Sequence, residues 1–566
     1  MNKVICTLLL SGLLAGFYSC NNSVHKPEYR GLIADNGMVV SAHPEASEVG
    51  KRILENGGTA MDAACAVEFA LSVVYPAAGN IGGGGFWIVR TADGDLAALD
   101  FREKAPGAAH RNMYLDDDEE VIRGSSTSTI LASGIPGTVA GMAKGMEKFG
   151  TLPWADLLNP AIELAEKGFP LTASQARSLN GLKRSLITRN TWRTSFIRET
   201  LWQANDTLRQ PELAETLKRI RDNGRDGFYK GETARLIVEQ MEELDGLITI
   251  EDLAAYEAQW REPVVGNYNG YEFVSMPPPS SGGIALGQLF NIVAEYPLAE
   301  YGFHSIEAIH LMAEAERRVY ADRAEWLGDD DYFDVPRKEL LSPKYLKDRA
   351  GEIDMNKATN SEEVSAMQMI PEESEETTHY SIVDQWGNAV AATTTLNGGY
   401  GNRIMVKGAG FLLNNEMDDF SIKPGFPNVY GLIGGDANAI QAGKRMLSSM
   451  TPTIVNKDNE LFMVVGSPGG STIITSVFQT ILNVVDFNMG MQEAVDASRF
   501  HHQCFPDQIS VETDGLDSLT IVNLEAMGHK IKPRGKIGRV DAILVLDDGK
   551  LEAGADKRGD DAAKGH

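Results

Sequence analysis

The stretch TTHYSIVDQWGNAVAATTTLN, residues 377–397, decides how the rest of the sequence is interpreted. Residues 379–384 are rich in β-branched and aromatic side chains, and residues 389–396 repeat that character. Between them, Gln385-Trp386-Gly387-Asn388 has the composition of a tight turn. The stretch therefore predicts two antiparallel strands, 379–384 and 389–396, joined as a hairpin.

The segment before this hairpin has the opposite character. Residues 352–376 are polar and acidic, lack any helical or strand period, and close on PEESEE. Such a composition predicts a segment that is mobile in some state of the protein. A mobile acidic segment joined directly to a strand that is expected to be buried suits a peptide bond that will be cut.

Composition indicates a large folded chain and excludes two classes of partner. The 566 residues carry a formal charge of −27, and 43% of them are hydrophobic. Nucleic acids and anionic membranes bind clustered lysine and arginine, so this charge argues against both. Of the four cysteines, Cys6 belongs to the leader, Cys20 directly follows it, and Cys65 and Cys504 lack metal-ligand spacing. A Cys65–Cys504 disulfide stays an open alternative.

The N-terminus predicts export. Lys3 precedes an apolar run from Val4 to Phe17, which is too short for a membrane span of about 18 or more residues and fits a secretory signal. The run closes on Ser19-Cys20, which resembles the lipobox of bacterial lipoproteins. We therefore expect residues 1–19 to be removed, Cys20 to be acylated, and the protein to be anchored in the periplasm or cell envelope. An ordinary secretory signal is the alternative.

The body of the chain alternates helical and strand patterns and predicts a mixed α and β fold. Residues 47–56 and 60–74 predict helices, the second of them apolar on most faces and therefore buried. GNIGGGGFWIVR, residues 79–90, leads from glycines into a strand. A phosphate-binding loop would require a following Gly-Lys-Ser/Thr and a helix, so nucleotide binding is disfavoured. Residues 138–351 are mainly helical in pattern, with a strand at 271–276.

Several separate motifs resemble one known family. TTHYSIVDQWGNAVAATTTLN, LLNNEMDDF (412–420) and VVGSPGGSTIITSV (464–477) are similar to the small subunit of bacterial γ-glutamyltranspeptidases. AGNIGGGGF (78–86) and DFREKAP (100–106) resemble the large subunit in matching order. The resemblance implies a four-layer αββα sandwich of the N-terminal nucleophile hydrolase type. It also implies self-cleavage between Glu376 and Thr377, which yields a large subunit, 20–376, and a small catalytic subunit, 377–566, associated as a heterodimer.

The chemistry explains why a threonine stands at the junction. A threonine hydroxyl is a weak nucleophile that needs an adjacent base, and a free N-terminal amine on the same residue supplies one. That amine titrates near pH 7.7 to 8.0 in model peptides, about the working pH, but exists only after the chain is cut at Thr377. The resemblance implies that Thr395 on the returning strand orients the Thr377 hydroxyl. Taken alone, either residue is an ordinary strand threonine.

Gly469 and Gly470 are the candidate oxyanion-binding residues. They lie between the apolar strand 461–465 and a helix predicted from about Ser471. Glycines let backbone N–H groups approach a reacting carbonyl, and a helix N-terminus favours negative charge. Strand–glycine–helix turns are common, so the oxyanion role is what the resemblance implies.

A second group of residues is suited to a free α-amino acid end, which carries a carboxylate and an ammonium. Arg102 presents a planar fork of donors for a carboxylate. By resemblance, the hydroxyls of Ser448 and Ser449 add donors, while Glu416, Asp419 and the amide of Asn397 accept from the ammonium. Each charged residue seen alone is more typical of a structural ion pair.

Two further stretches bear on the site. Residues 424–435, PGFPNVYGLIGG, resemble a lid loop from which Tyr430 would screen the site from water. The alternative is a surface loop without function. Arg499-Phe500-His501-His502 suggests a metal site, but adjacent strand histidines point apart and no third ligand is spaced to join them, so packing is favoured. We expect no metal and no organic cofactor.

These observations lead to one functional expectation and two alternatives. The chain is expected to be a self-processing γ-glutamyltransferase that cleaves glutathione and other γ-glutamyl compounds through an ester on Thr377. Water, amino acids or peptides then accept the γ-glutamyl group. A related cephalosporin or glutaryl acylase is the nearer alternative, and a non-catalytic peptide-binding lipoprotein is the more distant one.

Overall fold

The computed structural model describes residues 30–364, 377–423 and 435–566. Its strands, in chain order, are β1 (Ile33–Ala34), β2 (Met38–Ser41), β3 (Gly84–Arg90), β4 (Leu96–Asp100), β5 (Phe169–Pro170), β6 (Thr207–Leu208), β7 (Gln259–Arg261), β8 (Val264–Tyr268), β9 (Tyr271–Ser275), β10 (Thr377–Val383), β11 (Ala389–Thr395), β12 (Thr453–Lys457), β13 (Glu460–Gly466), β14 (Phe500–His501), β15 (Ile509–Glu512), β16 (Ile531–Arg534), β17 (Asp541–Val545), β18 (Leu551–Ala555) and β19 (Ala562–Gly565).

The helices begin and end at defined caps. They are α1 (Pro44–Glu55), α2 (Ala60–Val74), α3 (Ser125–Ser128), α4 (Thr138–Phe149), α5 (Trp154–Lys167), α6 (Ala173–Arg189), α7 (Pro211–Asn223), α8 (Asp226–Tyr229), α9 (Gly231–Glu243), α10 (Ile250–Ala255), α11 (Gly282–Val293), α12 (Leu298–Tyr301), α13 (Ile306–Trp326), α14 (Arg337–Leu340), α15 (Pro343–Gly351), α16 (Ser361–Val364), α17 (Thr472–Val485), α18 (Met491–Asp496) and α19 (Ser518–Ala526). The helix predicted at 47–56 starts earlier, at Pro44, because His43 caps it by accepting from the Glu45 N–H.

Two seven-stranded sheets form the centre of the molecule. Sheet I has the strand order β19-β2-β10-β11-β3-β4-β7, and sheet II has the order β1-β18-β17-β13-β12-β9-β8. Every pairing in both sheets is antiparallel. The predicted hairpin, β10 and β11, occupies the middle of sheet I, between β2 and β3.

Successive side chains along each strand point to opposite faces of the sheet and so contribute to two different cores. Phe86 and Ile88 of β3 point into a core between the two sheets, where they meet Ile454 and Ile543 of sheet II. The intervening Trp87 points to the opposite face, into a core that is shared with α1, α2 and α4. On sheet II, the outward residues of β13 pack with α11, α13 and α17. The order helix, sheet, sheet, helix confirms the predicted αββα sandwich.

The central hairpin is longer than the pattern predicts. Its first strand runs from Thr377 to Val383 instead of 379–384, because Thr377 and Thr378 are also paired with β11. The second strand ends at Thr395, one residue earlier than predicted. The turn lies at residues 384–388, where the Asp384 carboxylate accepts from the N–H groups of Trp386 and Asn388.

The structure also bears on the acidic segment and the cysteines. Residues 352–364, predicted to be mobile, have specific contacts: His310 bonds to the Asp354 carbonyl, and the Ser361 N–H donates to Asp507. Cys65 and Cys504 are both buried and free, so the open disulfide is not formed. Within the described residues, no helix is long and apolar enough to cross a membrane. The leader, Cys20, Glu376 and Tyr430 lie outside the described residues.

Candidate active site

The two predicted catalytic threonines face each other across the hairpin. Thr377 and Thr395 are register partners on β10 and β11, and their hydroxyl oxygens lie 3.4 Å apart. The Thr395 hydroxyl also accepts a 2.8 Å hydrogen bond from the backbone N–H of Asn397. Asn397 has a φ of 70°, which turns the chain out of the strand directly after Thr395. Both threonines are buried, so the backbone holds the pair in a defined geometry.

The predicted oxyanion turn lies at the end of β13 and leads into α17. Gly469 and Gly470 have φ values of 134° and 56°, a region that side chains with a Cβ rarely occupy. A Cβ at Gly469 would also lie only 2.5 Å from the Thr472 hydroxyl. That hydroxyl donates to the Gly469 carbonyl, so the carbonyl is engaged by the helix start. The turn thus requires glycine at 469 and favours it at 470.

One pocket brings together most of the predicted residues. The predicted residues that line it are Arg102, Thr377, Thr395, Asn397, Glu416, Asp419, Ser448, Ser449 and Gly470. Gly469 lies one residue outside this lining. The pocket therefore joins the nucleophile candidate to the residues predicted for an amino acid end.

Arg102, predicted to bind a substrate carboxylate, pairs with carboxylates of the protein itself. Its guanidinium bonds to Glu416 through Nη1 and to Asp419 through Nη2, the latter at 2.5 Å. Glu103, also buried, lies 3.6 Å away. Burial raises the pKa values of Glu416 and Asp419, and the Arg102 charge opposes that increase. Arg102, predicted to bind the substrate carboxylate, thus forms ion pairs with Glu416 and Asp419, predicted to bind the substrate ammonium.

Sequence reasoning missed a second arginine in the pocket. Arg323 of α13 lines the same cavity, and it donates through Nη2 to the Ser449 hydroxyl at 3.0 Å. Its Nε donates to Ser281 Oγ, also at 3.0 Å. Arg323 lies in a long buried helix without a recognisable motif, and its partners are distant in sequence. No pattern in the sequence marks it.

The two adjacent histidines that suggested a metal site, His501 and His502, are buried and hydrogen-bonded within the protein. His501 bonds to Thr475 and Gln503, and His502 bonds to Asp507, so the interpretation as packing residues fits. His310, Glu314 and His529 lie close enough to hold a metal ion. However, both Glu314 oxygens already accept from arginine side chains and from Thr359. A cation would compete with two guanidinium groups there, which makes this cluster a poor metal site.

The stacked sheets and the threonine at the start of a central strand define an N-terminal nucleophile hydrolase. Residues 46–566 match the family model described as gamma-glutamyltranspeptidase. The chain belongs to the γ-glutamyltranspeptidase family.

Relatives and solved structures are similar over most of the chain. The glutathione hydrolase proenzyme of Escherichia coli (strain K12) is 46% identical over 546 residues, covering 96% of this chain and 94% of that protein. A crystal structure of cephalosporin acylase from Bacillus halodurans superposes with a TM-score of 0.82 at 26% identity, covering 97% of this chain and 99% of that one. The Helicobacter pylori gamma-glutamyltranspeptidase structure has a TM-score of 0.57 at 42% identity, covering 60% of this chain and 96% of that one.

Proposed function

We propose that this chain is the precursor of a γ-glutamyltransferase and glutathione hydrolase that cleaves itself before Thr377. The observation that carries the proposal is the position of the Thr377 hydroxyl. It lies beside Thr395 in a pocket that also presents an arginine and two carboxylates. Family membership and the similarity to a glutathione hydrolase proenzyme support the same activity.

Processing creates the catalytic group. The Thr377 hydroxyl attacks the Glu376 carbonyl, and the Glu376–Thr377 C–N bond breaks as an ester to Thr377 Oγ forms, which releases the Thr377 amine. Water then hydrolyses the ester to give the Glu376 carboxylate and a free Thr377 hydroxyl. The proposed subunits, 20–376 and 377–566, remain associated because sheet I interleaves them. In the order β19-β2-β10-β11-β3-β4-β7, strands β19, β10 and β11 come from the small subunit and the other four from the large one.

In turnover, the hydroxyl of Thr377 then attacks the amide of an external substrate. The freed amine accepts the hydroxyl proton as Thr377 Oγ attacks the γ-carbonyl of the substrate. Backbone N–H groups of Gly469 and Gly470 stabilise the oxyanion, and the N-terminus of α17 adds a favourable field. The leaving amine takes the proton. Water or the amine of an amino acid or peptide attacks the resulting ester, which gives hydrolysis or transfer.

The charges in the pocket favour a zwitterionic head group. An α-carboxylate would pair with Arg102 and accept from Ser448 and Ser449, while an α-ammonium would pair with Glu416 and Asp419, with Asn397 nearby. A zwitterion replaces the internal ion pairs of Arg102 with Glu416 and Asp419 by ion pairs between ligand and protein, so no buried charge is left alone. A ligand with only one of the two charges would leave a partner uncompensated.

This argument separates the proposal from its nearest alternative. The similarity to a cephalosporin acylase fits a glutaryl acylase equally well at the level of the fold. A glutaryl group has a carboxylate but no ammonium, and it would leave Glu416 and Asp419 facing an apolar methylene. The two carboxylates therefore favour a γ-glutamyl head over a glutaryl one. A non-catalytic peptide binder would not need the threonine pair or the strained glycines.

Export completes the proposal. Removal of residues 1–19 and acylation of Cys20 would place the enzyme in the periplasm or cell envelope, with the lipid as its contact with the membrane. Its substrates there would be extracytoplasmic glutathione and other γ-glutamyl compounds. The Lys3–Phe17 leader and the cysteine after Ser19 support this assignment.

The first experiment is an intact-mass measurement of the purified mature protein under denaturing conditions. Two fragments that divide at Thr377 are expected for the wild type, and one chain is expected for Thr377→Ala. Thr378→Ala is a matched control, because the Thr378 hydroxyl has no hydrogen-bond partner among the described residues. Cleaved protein should release anilide from a γ-glutamyl anilide. A folded wild type that stays in one piece would refute the mechanism.

A further inference from the structure

Arg323 brings a second guanidinium into the pocket that holds Thr377 and Arg102. It lies near the C-terminal end of α13, a helix that packs under sheet II, and only 5% of its surface is exposed. An arginine cannot lose its charge in a protein, so a buried one needs compensating partners. Its contacts therefore indicate what it does.

The Arg323 fork contacts two serines from distant parts of the chain. Nη2 donates to Ser449 Oγ and Nε to Ser281 Oγ, both at 3.0 Å. Ser281 in turn donates to the Ser448 carbonyl through its hydroxyl and through its backbone N–H, both at 2.8 Å. Arg323 thus contacts Ser449 directly and is connected to Ser448 through Ser281, so it holds the two serines in fixed positions.

These contacts determine the direction of the Ser449 hydroxyl. A guanidinium only donates, so the Ser449 oxygen must accept the bond from Arg323. The hydroxyl proton then points away from Arg323, and Ser449 lines the pocket. A hydroxyl in this state donates to a carboxylate. A hydroxyl free to rotate could equally turn its lone pairs toward the ligand.

We propose that Arg323 is a positioning residue for the substrate α-carboxylate, because it fixes Ser449 as a hydrogen-bond donor and braces Ser448 beside it. The inference rests on the proposed γ-glutamyl activity and assigns a role within that site.

The test compares two inhibitors that each lack one charge of the head group. Glutarate lacks the α-ammonium of glutamate, and 4-aminobutanoate lacks the α-carboxylate. Inhibition constants of both, with kcat and KM for a γ-glutamyl anilide, are measured for the wild type, Arg323→Gln, Arg323→Lys and Ser449→Ala. Arg235→Gln, an exposed arginine of α9 remote from the pocket, is the matched control.

The expected loss of affinity is confined to ligands that carry the α-carboxylate. In Arg323→Gln, KM for the anilide and the inhibition constant of glutarate rise about 10- to 100-fold, since hydrogen bonds to charged groups are of that size. The 4-aminobutanoate constant changes less than about twofold, and so does kcat. Arg323→Lys retains the charge without the fork and lies between wild type and Arg323→Gln. The double variant Arg323→Gln/Ser449→Ala is little worse than Ser449→Ala alone.

Three results would overturn the inference: equal loss for both inhibitors, which indicates a purely structural role; full additivity with Ser449→Ala; or wild-type constants in Arg323→Gln. If Arg323→Gln does not fold or process, Arg323→Lys provides the same comparison. A wild type that is processed but does not turn over the anilide would refute the proposed function instead. The two failures are therefore distinguishable.

Discussion

Thr377 and Thr395 are directly paired across β10 and β11, and the Thr395 hydroxyl stands between the Thr377 hydroxyl and the N–H of Asn397. The backbone N–H can only donate to Thr395, so the remaining proton of Thr395 is available to Thr377. Two successive hydrogen bonds, from the Asn397 N–H to Thr395 and between the two threonine hydroxyls, thus link the Thr377 hydroxyl to the backbone.

Thr395→Val should slow turnover about 10- to 100-fold, mainly in kcat, because it removes this orienting hydroxyl while it conserves volume and strand propensity. Thr395→Ser keeps the hydroxyl and should retain most activity. The measurement is steady-state turnover of a γ-glutamyl anilide by processed enzyme, with the extent of processing read by mass. Equal activity of the valine and serine variants would show that Thr395 only fills space.

Asp419→Asn should reduce kcat/KM for the γ-glutamyl anilide about 100-fold or more, because the substrate ammonium loses a buried, charged partner. Turnover of a glutaryl anilide should be retained or rise, because Arg102 is released from its 2.5 Å contact with Asp419. Parallel assays of the two anilides decide the question. Loss of both activities together would support a structural ion pair, and an unaffected γ-glutamyl rate would favour the acylase alternative.

Much of the active centre could be predicted from local sequence pattern. The hairpin followed from two β-rich runs around a four-residue turn, but the predicted first strand began at residue 379, and it is the structure that pairs Thr377 with Thr395. The glycine turn followed from an apolar strand, two glycines and an apolar helix. These features depend on residues that are near neighbours in the chain, and local propensity and alternation determine them.

The remaining features depend on contacts that local pattern does not encode. Arg102 was predicted to bind a substrate carboxylate, and in the folded chain it also lies among three carboxylates, those of Glu103, Glu416 and Asp419, and bonds to the last two. Arg323 meets Ser449 only because α13 packs against sheet II. The residues at 352–364 lack periodicity, yet partners on α13 and near Asp507 give them fixed positions.

The buried carboxyl group of Glu68 should make the stability of the protein depend on pH. It is buried in α2, accepts a 2.9 Å bond from the Tyr380 hydroxyl, and burial raises its pKa from 4.5 to about 8. The folded protein therefore binds this proton more tightly than the unfolded chain does. The free energy of unfolding should fall between pH 4.5 and 8, by at most about 1.4 kcal/mol per pH unit from this group. Below this window the contribution is fully present.

Glu68→Gln should remove that part of the slope, because a neutral amide keeps the acceptor for Tyr380 and has no charge to bury. Urea denaturation at pH 5 and pH 8 measures it: the variant should gain stability relative to wild type at pH 8 and be close to it at pH 5. Glu239→Gln on the exposed face of α9 is the control. The prediction is wrong if the difference between wild type and Glu68→Gln is the same at both pH values.

Asp507 connects the end of the proposed large subunit to the small one, and its loss should weaken the processed enzyme. Its carboxylate bonds to His502, pairs with Arg317 and accepts a 3.0 Å bond from the Ser361 N–H, and these partners outweigh burial and keep its pKa below the usual range. After cleavage such contacts must hold the two chains together without the peptide bond. Asp507→Ala removes one of the two carboxylates that pair with the buried Arg317, the other being Glu314, and this loss should cost about 1.5 to 3 kcal/mol and lower the Tm of the processed protein. Glu239→Ala, which removes an exposed partner of Arg235, should change stability by less than about 0.5 kcal/mol. Calorimetry of both variants, each confirmed as cleaved by mass, provides the comparison.

The contrary outcome is an Asp507→Ala enzyme that has the same Tm as the wild type. In that case the contacts of residues 352–364 do not hold the subunits together, and the interleaved strands of sheet I alone account for their association.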